Sequence, residues 1–186
     1  IEDLLRFARP PEPRLKPHDL RESIERVLAL ARGRLEKAGV TAGVVVEGEV
    51  PPAFVDPDQI AQVLLNVVLN AVQAMPQGGE LTIALRAVER LAPVVGRPGR
   101  RAEDRDDAAA PKRRFLELEV RDTGVGIDRA DLPKLFEPFF TTRPSGTGLG
   151  LSTSQALVRQ HGGAISVESE LGKGTAVTIL IPVEKR

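Results

Sequence analysis

Asn66 and Asn70 stand four residues apart in Asn66-Val67-Val68-Leu69-Asn70-Ala71, a spacing that puts two side chains on one face of a helix. That face opposes an apolar stripe of Ile60, Val63, Leu64, Val67, Val68, Ala71 and Met75, so two neutral oxygen donors turn toward a cleft. Carboxamide oxygens suit a hard divalent cation such as Mg2+, which shares its shell with phosphates and water. Taken alone, the pair also reads as two asparagines on a solvated helix face.

Three further segments follow in order. Asp122-Thr123-Gly124-Val125-Gly126-Ile127 ends a strand with a carboxylate that can accept a hydrogen bond from an exocyclic amine such as that of adenine. Gly124 and Gly126 remove Cβ atoms where backbone and ligand must approach closely; by itself the run is equally a tight turn. Gly146-Thr147-Gly148-Leu149-Gly150-Leu151 leads straight into a helix, whose first amides and dipole can hold phosphate. It matches neither the phosphate loop ending in Gly-Lys-Ser/Thr nor a dinucleotide fingerprint, and alone it would pass for a generic loop. Phe136-Glu137-Pro138-Phe139-Phe140 lies between the two glycine runs. Together the four segments supply a metal ligand, a base reader and phosphate turns for one nucleotide site.

Composition bounds what else the chain can be. At 186 residues it suits one domain with a real core. Lys and Arg number 26 against 26 Asp and Glu, so no electrostatic footprint for nucleic acid or an anionic membrane is visible. Aromatics are 3 %, with no Trp or Tyr, which leaves a core of Leu, Val, Ile and Ala and no base-stacking platform. The absence of Cys excludes disulfides and Cys-based metal sites. No apolar run reaches the length of a membrane span.

The elements that must position these residues can be read from period and punctuation. Residues 1–9 read as the end of a helix stopped by Pro10, Pro11 and Pro13. Leu15-Lys16 could form a short edge strand. Leu20, Ile24, Val27, Leu28, Ala31 and Leu35 recur at helical spacing, with Gly39 just beyond. Residues 40–47 read as a strand. Asp56 caps and Pro57 opens a helix over about 57–75, ended by Pro76 and Gly78-Gly79. Strands are predicted over 81–88 and 115–121. Between them, residues 89–114 are Arg, Asp, Pro, Gly and Ala with almost no large apolar side chain, a composition that predicts a disordered hairpin insertion; a charged docking loop is the alternative. A short helix near 129–136, a helix from Gly148 to Gln160 and a hairpin of 164–169 with 175–182 complete the chain. The predicted fold is an α/β two-layer sandwich, a mixed sheet of five or six strands against about three helices.

The four segments closely resemble the catalytic ATP-binding domain of bacterial two-component sensor histidine kinases, within the GHKL ATPases. The resemblance covers about residues 15–183: Asn66–Ala71 matches the N box, Asp122–Ile127 the G1 box, Phe136–Phe140 the F box and Gly146–Leu151 the G2 box. It implies that ATP and Mg2+ bind, with Asn70 on the metal, Asp122 on the adenine amine and residues 136–145 as a lid over the phosphates. It further implies nucleotide contacts from Asn66, Gln73, Ala74, Gly124, Gly126, Ile127, Phe140, Thr141, Thr142, Gly146, Thr147, Gly148, Leu149, Gly150, Leu151 and Thr175. The lid resembles the short one of nitrogen-regulation-type kinases, where a Lys often occupies the place of Arg143; Arg keeps the charge for phosphate. Asn66, Asn70 and Arg143 are the catalytic candidates.

One departure sorts the subfamilies. The hydrolytic relatives, chaperone and repair ATPases, carry a Glu four residues before the metal Asn as the base for water. Here that position is Asn66, and an amide takes no proton from water.

The chain has two histidines. His18-Asp19-Leu20-Arg21 imitates the family's phosphoacceptor box, but Glu22-Ser23 replaces the Asn/Thr-Pro, and 48 residues to Asn66 is too short for the acceptor helix pair. His161, in Gln160-His161-Gly162-Gly163, reads as packing at a helix end. Residues 1–14 then resemble the end of the dimerisation and phosphotransfer helix with its linker, and 15–186 the ATP-binding domain. The implied partners are that upstream domain and a response-regulator receiver domain, without nucleic acid or direct membrane contact, in the cytoplasm. The rival readings are a nucleotide-binding module without turnover and a GHKL-type ATPase.

Overall fold

In the computed structural model, residues 12–91, 112–143 and 146–184 are described. Helix α1 (Leu20–Ala38) begins where Asp19 accepts from the Arg21 backbone N–H and ends at Gly39 in the left-handed region, φ 66°. Helix α2 (Pro57–Ala74) begins at Asp56, whose carboxylate accepts from the N–H groups of Asp58 and Gln59 at 3.0 and 3.2 Å, with Pro57 in the first turn. Helix α3 (Gly150–Gln160) has no side-chain cap at its start, so no N-cap side chain takes up its first N–H groups.

Strands β2 (Val40–Glu47), β4 (Gly79–Leu91), β5 (Lys112–Asp122), β6 (Ala164–Glu170) and β7 (Gly174–Pro182) form one sheet in the order β2-β4-β5-β7-β6. Only β2–β4 is parallel, which makes the sheet mixed. Alternation puts Leu81, Ile83 and Leu85 of β4, Leu116, Leu118 and Val120 of β5, and Val177, Ile179 and Ile181 of β7 on one face. There they meet Ile24, Val27 and Ala31 of α1, Val63, Leu64, Val67 and Val68 of α2, and Leu157 and Val158 of α3 in one core. The result is three helices on one face of a five-stranded mixed sheet, the two-layer sandwich that the pattern of elements predicts.

The structure departs from the sequence reading in four places. The edge strand expected at Leu15-Lys16 is β1 (Lys16–His18), and it pairs with an unforeseen strand, β3 (Ala53–Val55), antiparallel with His18 opposite Ala53. The helix expected near 129–136 is one 3-10 turn, Leu132–Lys134; Pro133 and Pro138 leave no room for a longer ladder. Strands β4 and β5 continue into the predicted insertion, pairing Glu89 with Arg114, Arg90 with Arg113 and Leu91 with Lys112. Charge holds these arms where apolar burial cannot. Glu117 is 5 % exposed and accepts from Arg86 Nε at 2.8 Å and Arg90 Nη2 at 2.9 Å. Burial works against the Glu117 charge, yet Arg90 and Arg86 hold its carboxyl below the ordinary value. Residues 92–111, residues 1–9 and the lid positions 144–145 lie outside the described residues.

Candidate functional site: a cleft between α2, the first glycine loop and the lid

Helix α2 delivers the amides. Asn66 and Asn70 share a face, but they do different things. Asn66 Nδ2 donates to the carbonyl of Gly150 at 2.6 Å and to Ser154 Oγ at 3.2 Å. It ties α2 to the first turn of α3, and Gly150 is what permits the approach, since a Cβ there would stand 3.1 Å from the amide. One turn on, the half-buried Asn70 side chain is hydrogen-bonded to none of the described residues, while its backbone carbonyl accepts from Arg143 Nη2 at 3.1 Å. Arg143 Nη1 also donates to Gln73 Oε1 at 2.5 Å, so the lid's cation lies against the C-terminal end of α2, which has no basic residue of its own in its last turn.

The first glycine loop is locked onto that helix end. Val125 N–H donates to the Ala74 carbonyl at 2.9 Å. A Cβ on Gly124 would lie 2.5 Å from the same oxygen, and one on Gly126, at φ 70°, 2.1 Å from the Glu170 carbonyl. The glycines therefore make room for protein backbone as well as shaping the cleft, a use the sequence did not distinguish. Asp122, 5 % exposed, accepts from Gly124 N–H at 2.9 Å. Burial pushes its carboxyl above the ordinary value of 3.8, against the pull of the Gly124 and Thr175 backbone groups and the charge of Arg143. Burial likewise lowers the Arg143 guanidinium, with the Asp122 charge acting the other way.

Strand register extends the site sideways. Asp122 is opposite Thr175, and Thr175 is opposite Ser169, so three polar side chains form a row across β5, β7 and β6 on the inner face. Ser169 is the residue that sequence reading missed. Ser169 Oγ accepts from Ile127 N–H at 2.9 Å, donates to the Gly174 carbonyl at 2.8 Å and lies 2.9 Å from Thr175 Oγ1. Its signal was alternation: after Ile165 and Val167 it is the next inward position, and it is polar.

The lid residues fold upon themselves. Phe139, at φ 67°, donates its N–H to the Gly148 carbonyl at 3.0 Å, and a Cβ on Gly148 would sit 2.3 Å from the Phe139 carbonyl carbon. Thr141 Oγ1 accepts from Arg143 N–H at 3.1 Å, and Lys134 Nζ stands 5.6 Å from the Phe140 ring centroid. Thr141, Thr142, Gly146 and Thr147 are exposed, and Leu149 and Leu151 are half-buried beside the free start of α3. Hydrogen bonds and strand register thus connect Asn70, Gln73, Ala74, Arg143, Asp122, Gly124, Ile127 and Thr175 into one contiguous candidate site. Asn66 backs it through α3.

Neither histidine belongs to this cleft. His161 is 6 % exposed, accepts from Asp56 N–H through Nε2 at 3.0 Å and meets the Leu157 carbonyl through Nδ1 at 2.8 Å. These partners fix the neutral tautomer with hydrogen on Nδ1. His18 Nε2 is 2.8 Å from Ser23 Oγ at the end of β1. Both sit at the Asp56 end of α2, whereas Asn70 is 13 residues beyond Pro57, roughly 20 Å along the axis. Replacing His161 with Ala is expected to cost about 2–4 kcal/mol in chemical denaturation, from lost packing and an orphaned Asp56 N–H, without touching the cleft.

The donor set fits a hard cation. No cluster of His, Cys, Asp and Glu that could hold a metal occurs among the described residues; a hard cation here would be held by the Asn70 amide oxygen together with ligand phosphates and water, the donor set that Mg2+ prefers.

Comparison with known proteins bears on the family and the fold. The family profile described as "Histidine kinase-, DNA gyrase B-, and HSP90-like ATPase" matches residues 55–185. The chain is 31 % identical to the sensor histidine kinase ZraS of Escherichia coli over 183 residues, 98 % of this chain and 34 % of that protein. It resembles the structure of full-length ShkA in complex with AMPPNP, with 25 % identity and a TM-score of 0.76 over all of this chain and 35 % of that one. It also resembles a nucleotide-free form of the catalytic domain of the histidine kinase ThkA, with 26 % identity and a TM-score of 0.70 over 91 % of this chain and 96 % of that domain. The chain therefore spans about a third of the length of ZraS and ShkA and nearly all of the ThkA domain.

Proposed function

The chain belongs to the family of histidine kinase-, DNA gyrase B- and HSP90-like ATPases, and from that membership we propose that it is the Mg·ATP-holding catalytic unit of a two-component sensor histidine kinase. It presents the γ-phosphate to a histidine on a separate helical domain, for relay to an aspartate of a response regulator. Asn70 holds the metal, Asp122 reads the adenine amine, the amides at the start of α3 receive phosphate, and Arg143 swings from the α2 terminus to the phosphates. When bound, Mg2+ would neutralise charge on the β- and γ-phosphate oxygens. The work of the chain itself is positioning and fixed charge, the usual means of phosphoryl transfer.

The observation that carries this reading is Asn66. Its amide nitrogen is committed to Gly150 and Ser154, and it stands where a hydrolytic member of the family would place a base. The remoteness of both histidines supports an acceptor on another domain. The balanced charge argues against nucleic acid as a partner. No helix among the described residues is long and apolar enough to cross a membrane, and we place the domain in the cytoplasm, where ATP is available. Incubated alone with Mg·ATP, the chain is expected to bind nucleotide in a calorimetric titration yet release only traces of phosphate. Sustained phosphate release would place it with the hydrolytic members instead.

A further inference from the structure

The row Asp122–Thr175–Ser169 contains a donor count that assigns a role to Ser169. Its hydroxyl has one hydrogen, and the Gly174 carbonyl, which can only accept, takes it at 2.8 Å. The Ile127 N–H fills one Ser169 lone pair at 2.9 Å. The remaining contact, 2.9 Å from Ser169 Oγ to Thr175 Oγ1, must then carry the Thr175 hydrogen toward Ser169. Thr175 Oγ1 is left with lone pairs only on its other side. The residue opposite Thr175 across β5–β7 is Asp122, whose carboxylate also only accepts.

We infer that Ser169 is a positioning residue that sets the polarity of Thr175, so that the base pocket offers acceptors alone and selects a 6-amino purine over a 6-oxo purine. This rests on the nucleotide-site reading above. An adenine amine finds two acceptors. The 6-oxygen of inosine or guanine meets two oxygens and no hydrogen, and a buried polar mismatch of this kind discriminates strongly. Without Ser169 the Thr175 hydroxyl turns freely and can donate to a 6-oxygen, so discrimination falls although no base-contacting residue has changed.

The test compares the affinities of Mg·ATP and Mg·ITP for the whole chain. Ser169→Ala is expected to lower the ATP-to-ITP preference about tenfold, the worth of one hydrogen bond, while Ser169→Thr, which keeps the hydroxyl, retains it. Thr175→Val is expected to lower the preference as well, and adding Ser169→Ala to Thr175→Val should change it no further. Thr175→Val reads the same row should Ser169→Ala not fold, and an unchanged preference there overturns the inference. A Ser169→Ala chain that loses ATP and ITP affinity equally would make Ser169 merely structural and also overturn it. Wild-type chain that binds ATP and ITP equally contradicts the acceptor-only pocket, whereas wild-type chain that binds neither overturns the nucleotide reading beneath it.

Discussion

Asp122→Asn is expected to raise the melting temperature of the ligand-free chain while lowering ATP affinity roughly ten- to a hundredfold, the worth of a charge-assisted hydrogen bond. The two effects have one cause. Burial holds the Asp122 carboxyl above its ordinary 3.8, so ionising it costs the folded state. A raised native pKa means that this cost is absent in acid, begins to appear as pH climbs past 3.8 and is complete above the raised value. Asparagine keeps an oxygen for the Gly124 N–H but carries no charge, so the difference in melting temperature should open above pH 3.8 and then level off. Arg143 loses an opposite charge in the exchange, which subtracts from the gain. For the base, the new NH2 opposes the adenine amine donor to donor. A variant that binds ATP like the wild type would remove Asp122 from base reading; one whose stability gain is as large at pH 3 as at pH 7 would contradict the burial cost.

Asn70→Ala is expected to reduce phosphoryl transfer by about a thousandfold, about 4 kcal/mol of barrier, because it deletes the one protein ligand proposed for the metal. The substitution is clean in this fold. Arg143 bonds the backbone carbonyl at position 70, which alanine keeps, and the Asn70 side chain is bonded to none of the described residues. Stability should therefore change by less than about 0.5 kcal/mol. Binding of ADP in the absence of Mg2+ should be nearly unchanged, and the benefit of added Mg2+ should vanish. Full transfer by the variant at ordinary Mg2+ would place the metal elsewhere.

The cleft was legible where chemistry is written in consecutive residues. Asn66 and Asn70 share a helix turn, and each glycine run carries its own expected role in six positions. Legibility failed where function depends on pairing across the chain. Ser169 is an ordinary strand serine until the register sets it beside Thr175. Strand β3 is three residues between Pro52 and the Asp56 cap, too short for a period, and its partner β1 lies far upstream. The hairpin arms at Glu89–Leu91 and Lys112–Arg114 have the composition of a disordered segment, yet the register of β4 with β5 simply continues through them, with the Arg90–Glu117 bond on the way. The glycines show the same limit in another form. Their number and spacing lead one to expect a phosphate site, whereas the close approaches of Gly124 to Ala74 and Gly126 to Glu170 emerge only once α2 and the β6–β7 turn are folded together.

The separate places of Asn66 and Asn70 carry the account: one braces α3, the other is the ligand proposed for the metal, and an amide takes no proton from water. The direct test mixes the chain with its helical acceptor domain, Mg2+ and ATP labelled on the γ-phosphate. The account expects acid-labile, base-stable label on a histidine of the acceptor domain, none on His18 or His161, and loss of that label with Asn70→Ala. Label released as free phosphate, with no phosphohistidine on the acceptor, would contradict it.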